Sequence, residues 1–94
     1  MNIFEENKLF KRIENQPFTD IDGEIVMLNL ENNEYYGLNK TASDVWRIIE
    51  KPTRFGDIIN YLTKIYDVDK EKCAEEVTEL IKKLLEKKLV IEVI

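Results

Sequence analysis

Apolar residues alternate or run in short blocks through the first part of the chain, and from about residue 40 onward they recur every three to four positions. The pattern predicts strands first and helices after. Glu24 to Leu30 gathers Ile25, Val26, Met27, Leu28 and Leu30 into one aliphatic strand. Asn32-Asn33 suits a two-residue hairpin loop, because asparagine tolerates positive φ, and Glu34 to Leu38 returns as the partner strand. With that loop, Leu30 faces Tyr35, Asn29 faces Tyr36, Leu28 faces Gly37 and Met27 faces Leu38. Alternation then puts Val26, Leu28, Leu30 and Tyr35 on one face and Ile25, Met27, Tyr36 and Leu38 on the other. One face covers a core, and the other is apolar enough to need covering as well. Upstream, Leu9 to Glu14 predicts a first strand, followed by a loop through Asn15, Gln16 and Pro17 and a turn at Asp20 to Gly23.

The helical part divides at its own punctuation. Asn39 suits the N-cap of a helix over Lys40 to Glu50, with Ala42, Val45, Trp46 and Ile49 at helical spacing and Pro52 ending it. Thr53 is placed to cap a second helix to about Tyr66, whose stripe is Phe55, Ile58, Ile59, Leu62 and Ile65. Asp69 caps the longest helix, near Lys70 to Lys88, with a wide apolar face of Ala74, Val77, Leu80, Ile81, Leu84 and Leu85. Glutamates crowd its start and lysines its end, which complements the helix dipole. Leu89 to Ile94 closes as a short apolar strand. Ninety-four residues fit one domain, 1–94, with a small core.

Composition narrows the function. Charged residues are 35% and hydrophobic residues 44% of the chain, a balance that folds. The formal charge of -5 repels phosphate backbones and anionic membranes, so neither nucleic acid nor membrane is the expected partner. No apolar run approaches the ~20 residues of a membrane span, and the N-terminus lacks a signal-peptide core, which points to the cytoplasm. There is no histidine and one cysteine, Cys73, so a Cys-His nucleophile cannot be assembled within the chain. A thiolate metal site lacks its ligands too, and the loop acids Glu14, Asp20, Asp22 and Glu24 do not have hard-cation spacing. No cofactor, no metal and no catalysis are expected, which leaves binding.

The order strand, hairpin, three helices, with Asp22-Gly23-Glu24-Ile25-Val26, Tyr35-Tyr36-Gly37-Leu38-Asn39, Ala42, Trp46 and Tyr66-Asp67-Val68, resembles the PqqD-like family over roughly Leu9 to Val90. These are the small recognition domains of ribosomally synthesised, modified peptide (RiPP) pathways. The resemblance implies an α+β winged helix-turn-helix, a three-stranded antiparallel sheet followed by three helices. It also implies binding of a precursor's leader segment as an added β-strand along the third strand and against the third helix. In this chain those are Glu34 to Leu38 and Lys70 to Lys88. The Tyr-Tyr-Gly-Leu-Asn stretch is most similar to recognition elements of lasso-peptide biosynthesis, whose partner is a cysteine-protease-type leader peptidase; related domains serve radical modifying enzymes.

The candidate peptide-binding residues are therefore Val26, Leu28, Leu30, Glu34, Tyr35, Tyr36, Gly37, Leu80, Lys83, Leu84 and Lys87. An edge strand offers unpaired N–H and C=O groups to another extended chain. Gly37 leaves room for close approach, and Tyr35 offers a ring to pack on. Each candidate has a plainer role: Val26, Leu28 and Leu30 can underlie the helices, Tyr36, Leu80 and Leu84 can belong to the core, and Lys83 and Lys87 to a solvated face. Three other functions compete, of which a small hydrolase or transferase is nearly excluded by the residue inventory. A winged-helix DNA-binding regulator would need arginines on the third helix, which has none and is glutamate-rich at its start. A structural subunit would use the second apolar hairpin face as a permanent dimer interface.

Overall fold

The computed structural model describes residues 3–29 and 32–94. Its elements are β1 (Leu9–Arg12), β2 (Phe18–Ile21), β3 (Glu24–Asn29), β4 (Glu34–Gly37), α1 (Lys40–Ile48), β5 (Thr53–Arg54), α2 (Phe55–Ile65), α3 (Lys70–Glu86) and β6 (Val90–Val93). The fold is α+β, with three helices and antiparallel sheets. Among the described residues, no helix is long and apolar enough to cross a membrane.

The expectation of one three-stranded sheet ahead of the helices is corrected to two such sheets, β5-β1-β6 and β2-β3-β4. β1 does not join the hairpin; it lies between β5 and β6, with Phe10 opposite Thr53 on one side and Glu92 on the other. Its place beside β3 is taken by Phe18–Ile21, the stretch read as loop and turn. Asp22 (φ 52°) and Gly23 (φ 89°) make the two-residue connection that folds β2 onto β3, and the Gly23 amide donates to Asp20 Oδ1 at 2.7 Å. Two left-handed residues in succession match the natural twist of a hairpin.

The β3–β4 hairpin forms, in a different register. Leu28 stands opposite Tyr35, Met27 opposite Tyr36 and Val26 opposite Gly37. The pairing is displaced by two residues from the expected one: Asn29 stands opposite Glu34 instead of Tyr36. Asn33 does take positive φ (57°), and Asn32 Oδ1 accepts from the Glu34 amide. A slip of two leaves every side chain on its expected face. Ile25, Met27 and Leu38 are accordingly buried, while Tyr35 is 76% exposed.

The helices begin close to where the sequence places them. Asn39 Oδ1 accepts from the Ala42 amide at 2.9 Å and Asp69 Oδ2 from the Lys72 amide at 3.0 Å, so both expected caps are present. Thr53 is not a cap. It pairs with Phe10 in β5, its hydroxyl donates to the Lys51 and Ile48 carbonyls, and Arg54 precedes α2 without a side-chain cap. Trp46, Phe10, Ile58, Leu62, Ile81 and Leu84 form the centre of the core. Ser43 is buried because it completes the hairpin: its hydroxyl accepts from the Ile25 amide (2.8 Å) and donates to the Leu38 carbonyl (3.1 Å). That bridge satisfies a strand end that would otherwise bury unpaired groups.

Candidate peptide-binding site

β4 is an edge strand, and the phase of its ladder decides what the edge offers. The Leu38 amide donates to the Ile25 carbonyl at 2.8 Å, which makes that pair a hydrogen-bonded one. Alternation then turns the amides and carbonyls of Tyr36 and Glu34 toward β3, and those of Tyr35 and Gly37 away from it. On the far side of β3 the phase agrees, since the Leu28 amide donates to the Pro17 carbonyl across the β2 side. Tyr35 and Gly37 therefore present two outward N–H and C=O pairs at an open edge.

Side chains around that edge sort by face. Tyr36 points inward, is half-buried, and carries Lys87 Nζ 4.9 Å from its ring centroid, a contact that ties the end of α3 to β4. Tyr35 points outward beside Leu28. A Cβ built on Gly37 would meet nothing within 4 Å, so the chain's own packing does not require glycine there. The absent side chain leaves a clear path from the edge to Val26, its cross-strand neighbour.

The other candidate residues separate. Val26 and Leu28 are half-buried on the outer face, one strand in from the edge, and Glu34 is exposed on β4 itself. Leu80 is half-buried on α3, Lys83 and Lys87 are exposed, and Leu84, with 0% exposure, belongs to the core and has no surface to offer. Leu30 lies outside the described residues. A small depression of about 80 Å³ joins Glu34, Tyr35, Tyr36 and Lys87 to Gln16 and Leu89.

A larger depression of about 380 Å³ opens between the first turn of α1, the end of α2 and the first half of α3, lined by Thr41, Tyr66, Val68, Cys73 and Val77 among others. Thr41 stands four residues beyond Gly37. None of these was a candidate, although Tyr66 and Val68 belong to the family pattern and were the available signal. Tyr66 is held by donating to Asp44 Oδ2 at 2.6 Å, and the partial loss of solvent and this carboxylate keep its phenol protonated above the ordinary range, with the hydrogen bond to Asp44 the larger cause. Burial pushes the Cys73 thiol up, and Glu76 adds to it, so the sulfur is the reverse of an activated nucleophile. Among the described residues, no group of three metal-ligating side chains comes together.

A sheet edge left open beside the end of a long helix, in an α+β chain of two small sheets and three helices, defines the architecture. The chain belongs to the PqqD family: the family model described as "Coenzyme PQQ synthesis protein D (PqqD)" matches residues 24–90. Among solved structures, one titled "TbiB1 in Complex with the TbiA(beta) Leader Peptide" is 26% identical, with a TM-score of 0.75, covering 85% of this chain and 93% of that one. Another, "Lasso peptide synthetase B1 complexed with the leader peptide", is 22% identical with a TM-score of 0.75, covers 87% and 96%, and shares the fold. No curated protein matches the chain.

Proposed function

We propose that this protein binds the leader segment of a ribosomally synthesised precursor peptide as a fourth strand beside β4, against α3, and delivers it to a partner enzyme without catalysing any step itself. The observation that carries this reading is the outward pair of amide and carbonyl groups at Tyr35 and Gly37, on an edge that its own sheet leaves unpaired. An incoming strand would make main-chain bonds to both residues. Its outward side chain opposite Tyr35 would pack on the ring, and the one opposite Gly37 would reach across the glycine to Val26. Leu80, Lys83 and Lys87 would face the strand from α3, the lysines each adding about 1 kcal/mol or less through exposed pairing with acidic leader residues.

β2 and β6 are edges too. Among the edge strands, β4 alone has a glycine that clears its outer face. The similarity to B1 proteins that are both solved with a leader peptide, one of them titled a lasso peptide synthetase, makes a lasso precursor the first substrate class to try and a cysteine-protease-type leader peptidase the first partner. The experiment is a fluorescence-anisotropy titration with a labelled leader and a labelled DNA duplex as control. Saturation at about micromolar leader or tighter, with DNA inert, is the expected result. A free leader alongside salt-sensitive DNA binding would replace this function with that of a winged-helix DNA-binding regulator.

A further inference from the structure

Among the described residues, two polar side chains, Ser43 and Thr78, are wholly buried. Thr78 serves the N-terminal segment, its Oγ1 accepting from the Phe4 amide at 3.3 Å. Ser43 sits at the end of the β3–β4 hairpin. The register that pairs Val26 with Gly37 continues to Ile25 and Leu38, and the Leu38 amide donates directly to the Ile25 carbonyl at 2.8 Å. In a closed pair of this kind the Ile25 amide would donate back to the Leu38 carbonyl. Here the Ser43 hydroxyl stands between the two groups, accepting from the Ile25 amide at 2.8 Å and donating to the Leu38 carbonyl at 3.1 Å. Ser43 itself is fixed by the first turn of α1, where its amide donates to the Asn39 carbonyl at 2.8 Å.

This hydroxyl wedge bears on the edge one residue away. A trans peptide unit points its N–H and C=O in opposite directions, so the inward Leu38 amide turns the Gly37 carbonyl outward. Leu38 is gripped on both sides, its amide by Ile25 and its carbonyl by Ser43, and its side chain is buried. Gly37 has no such hold: it lacks a side chain, and a Cβ there would meet nothing within 4 Å. Glycine also has the widest backbone freedom of any residue. The direction of its outward carbonyl is therefore set through Leu38, and an edge whose groups are already aimed spares an incoming chain the cost of ordering them.

We infer that Ser43 is a positioning residue for peptide binding: fully buried and out of a ligand's reach, its hydroxyl holds Leu38 and so aims the Gly37 carbonyl at the incoming strand. The inference rests on the leader-binding function proposed above. Ser43→Ala and Thr78→Val each strip the acceptor from one buried amide, so both are expected to lower the denaturant midpoint. Only Ser43→Ala is expected to weaken binding of a labelled leader, about tenfold in the folded molecules, and to shift the Gly37 amide resonance before any leader is added. Ser43→Thr, which keeps the hydroxyl, is expected to restore that resonance and bring affinity back to within about threefold of wild type. If Ser43→Ala does not fold, the wild-type chain carries the test: saturating leader is expected to move the Ile25 amide resonance together with that of Gly37 and to leave that of Phe4 in place. Leader affinity within about twofold of wild type in Ser43→Ala, equal losses in Ser43→Ala and Thr78→Val, or an unmoved Ile25 resonance each overturn the positioning role and leave leader binding standing. A folded Ser43→Thr chain that binds no better than Ser43→Ala overturns it as well. Failure of the wild-type chain to bind leader removes the function on which the inference rests.

Discussion

The two three-stranded sheets use the same kind of pairing to opposite ends. In β5-β1-β6 the central strand is occupied on both sides, one neighbour is only two residues long, and the outer contacts are pinned by Lys8 to Glu92 and Arg12 to Glu50. Phe10, fully buried, packs on Phe4 with ring centroids 4.9 Å apart. This sheet joins the beginning of the chain to its end. In β2-β3-β4 the inner face is equally dry, with Ile25 and Met27 at 1% exposure, yet the outer face and the β4 edge are bare. Under the proposed function, the sheet that joins the two ends of the chain is not the one that receives the peptide.

Substitutions test that division, and the largest effect belongs to the closing sheet. Phe10→Ala removes a fully buried ring and is expected to cost about 3–5 kcal/mol in denaturant unfolding, with leader affinity unchanged in the molecules that remain folded. Gly37→Pro should do the reverse. Its amide points outward, so no bond to β3 is lost and stability stays within about 1 kcal/mol, while leader affinity falls about tenfold to a hundredfold in a titration. Loss of folding in this variant would mean that the Gly37 amide is part of the ladder after all. Tyr35→Ala, at a side chain 76% exposed, is expected to weaken leader binding about tenfold without a change in thermal stability.

The smallest effect concerns the turn between β2 and β3. Arg47, and after it the Gly23 amide, hold the Asp20 carboxyl below its ordinary value. A carboxyl depressed in the folded state contributes stability above its unfolded value of 3.8, and that contribution disappears as pH falls through the lower folded value. Acid should therefore loosen this turn, seen as faster exchange of the Gly23 amide, and Asp20→Asn should remove that pH dependence.

Much of the architecture was legible because it rests on local chemistry. Asn39 and Asp69 announce helix starts, and the two-residue period groups Ile25 with Met27 and Val26 with Leu28 whatever the register, although both groups are apolar and the sequence does not say which of them is buried. What the sequence did not reveal depends on long-range pairing. Phe18 to Ile21 is exposed at every position, so it carries no burial signal, and only its pairing with β3 makes it a strand. The displacement of the hairpin register was hidden for the opposite reason, since a two-residue slip preserves the pattern from which register is inferred. Thr53 resembles a cap in composition but is held in β5 by Phe10, 43 positions away in the chain. At the candidate site, Tyr35 and Gly37 could be recognised as strand-edge residues, whereas the burial of Leu84 and the depression around Tyr66 and Cys73 depend on how α3 rotates against its neighbours.

The most direct test of β4 as the receptive edge is amide hydrogen exchange, resolved by residue, with and without leader. The Tyr36 amide, bonded to β3, should be protected in both states; those of Tyr35 and Gly37 should exchange freely in the unbound chain and become protected once leader is added. If Tyr35 and Gly37 stay unprotected at saturating leader while amides of β2 or β6 slow instead, the peptide adds to a different edge and the account of β4 is wrong.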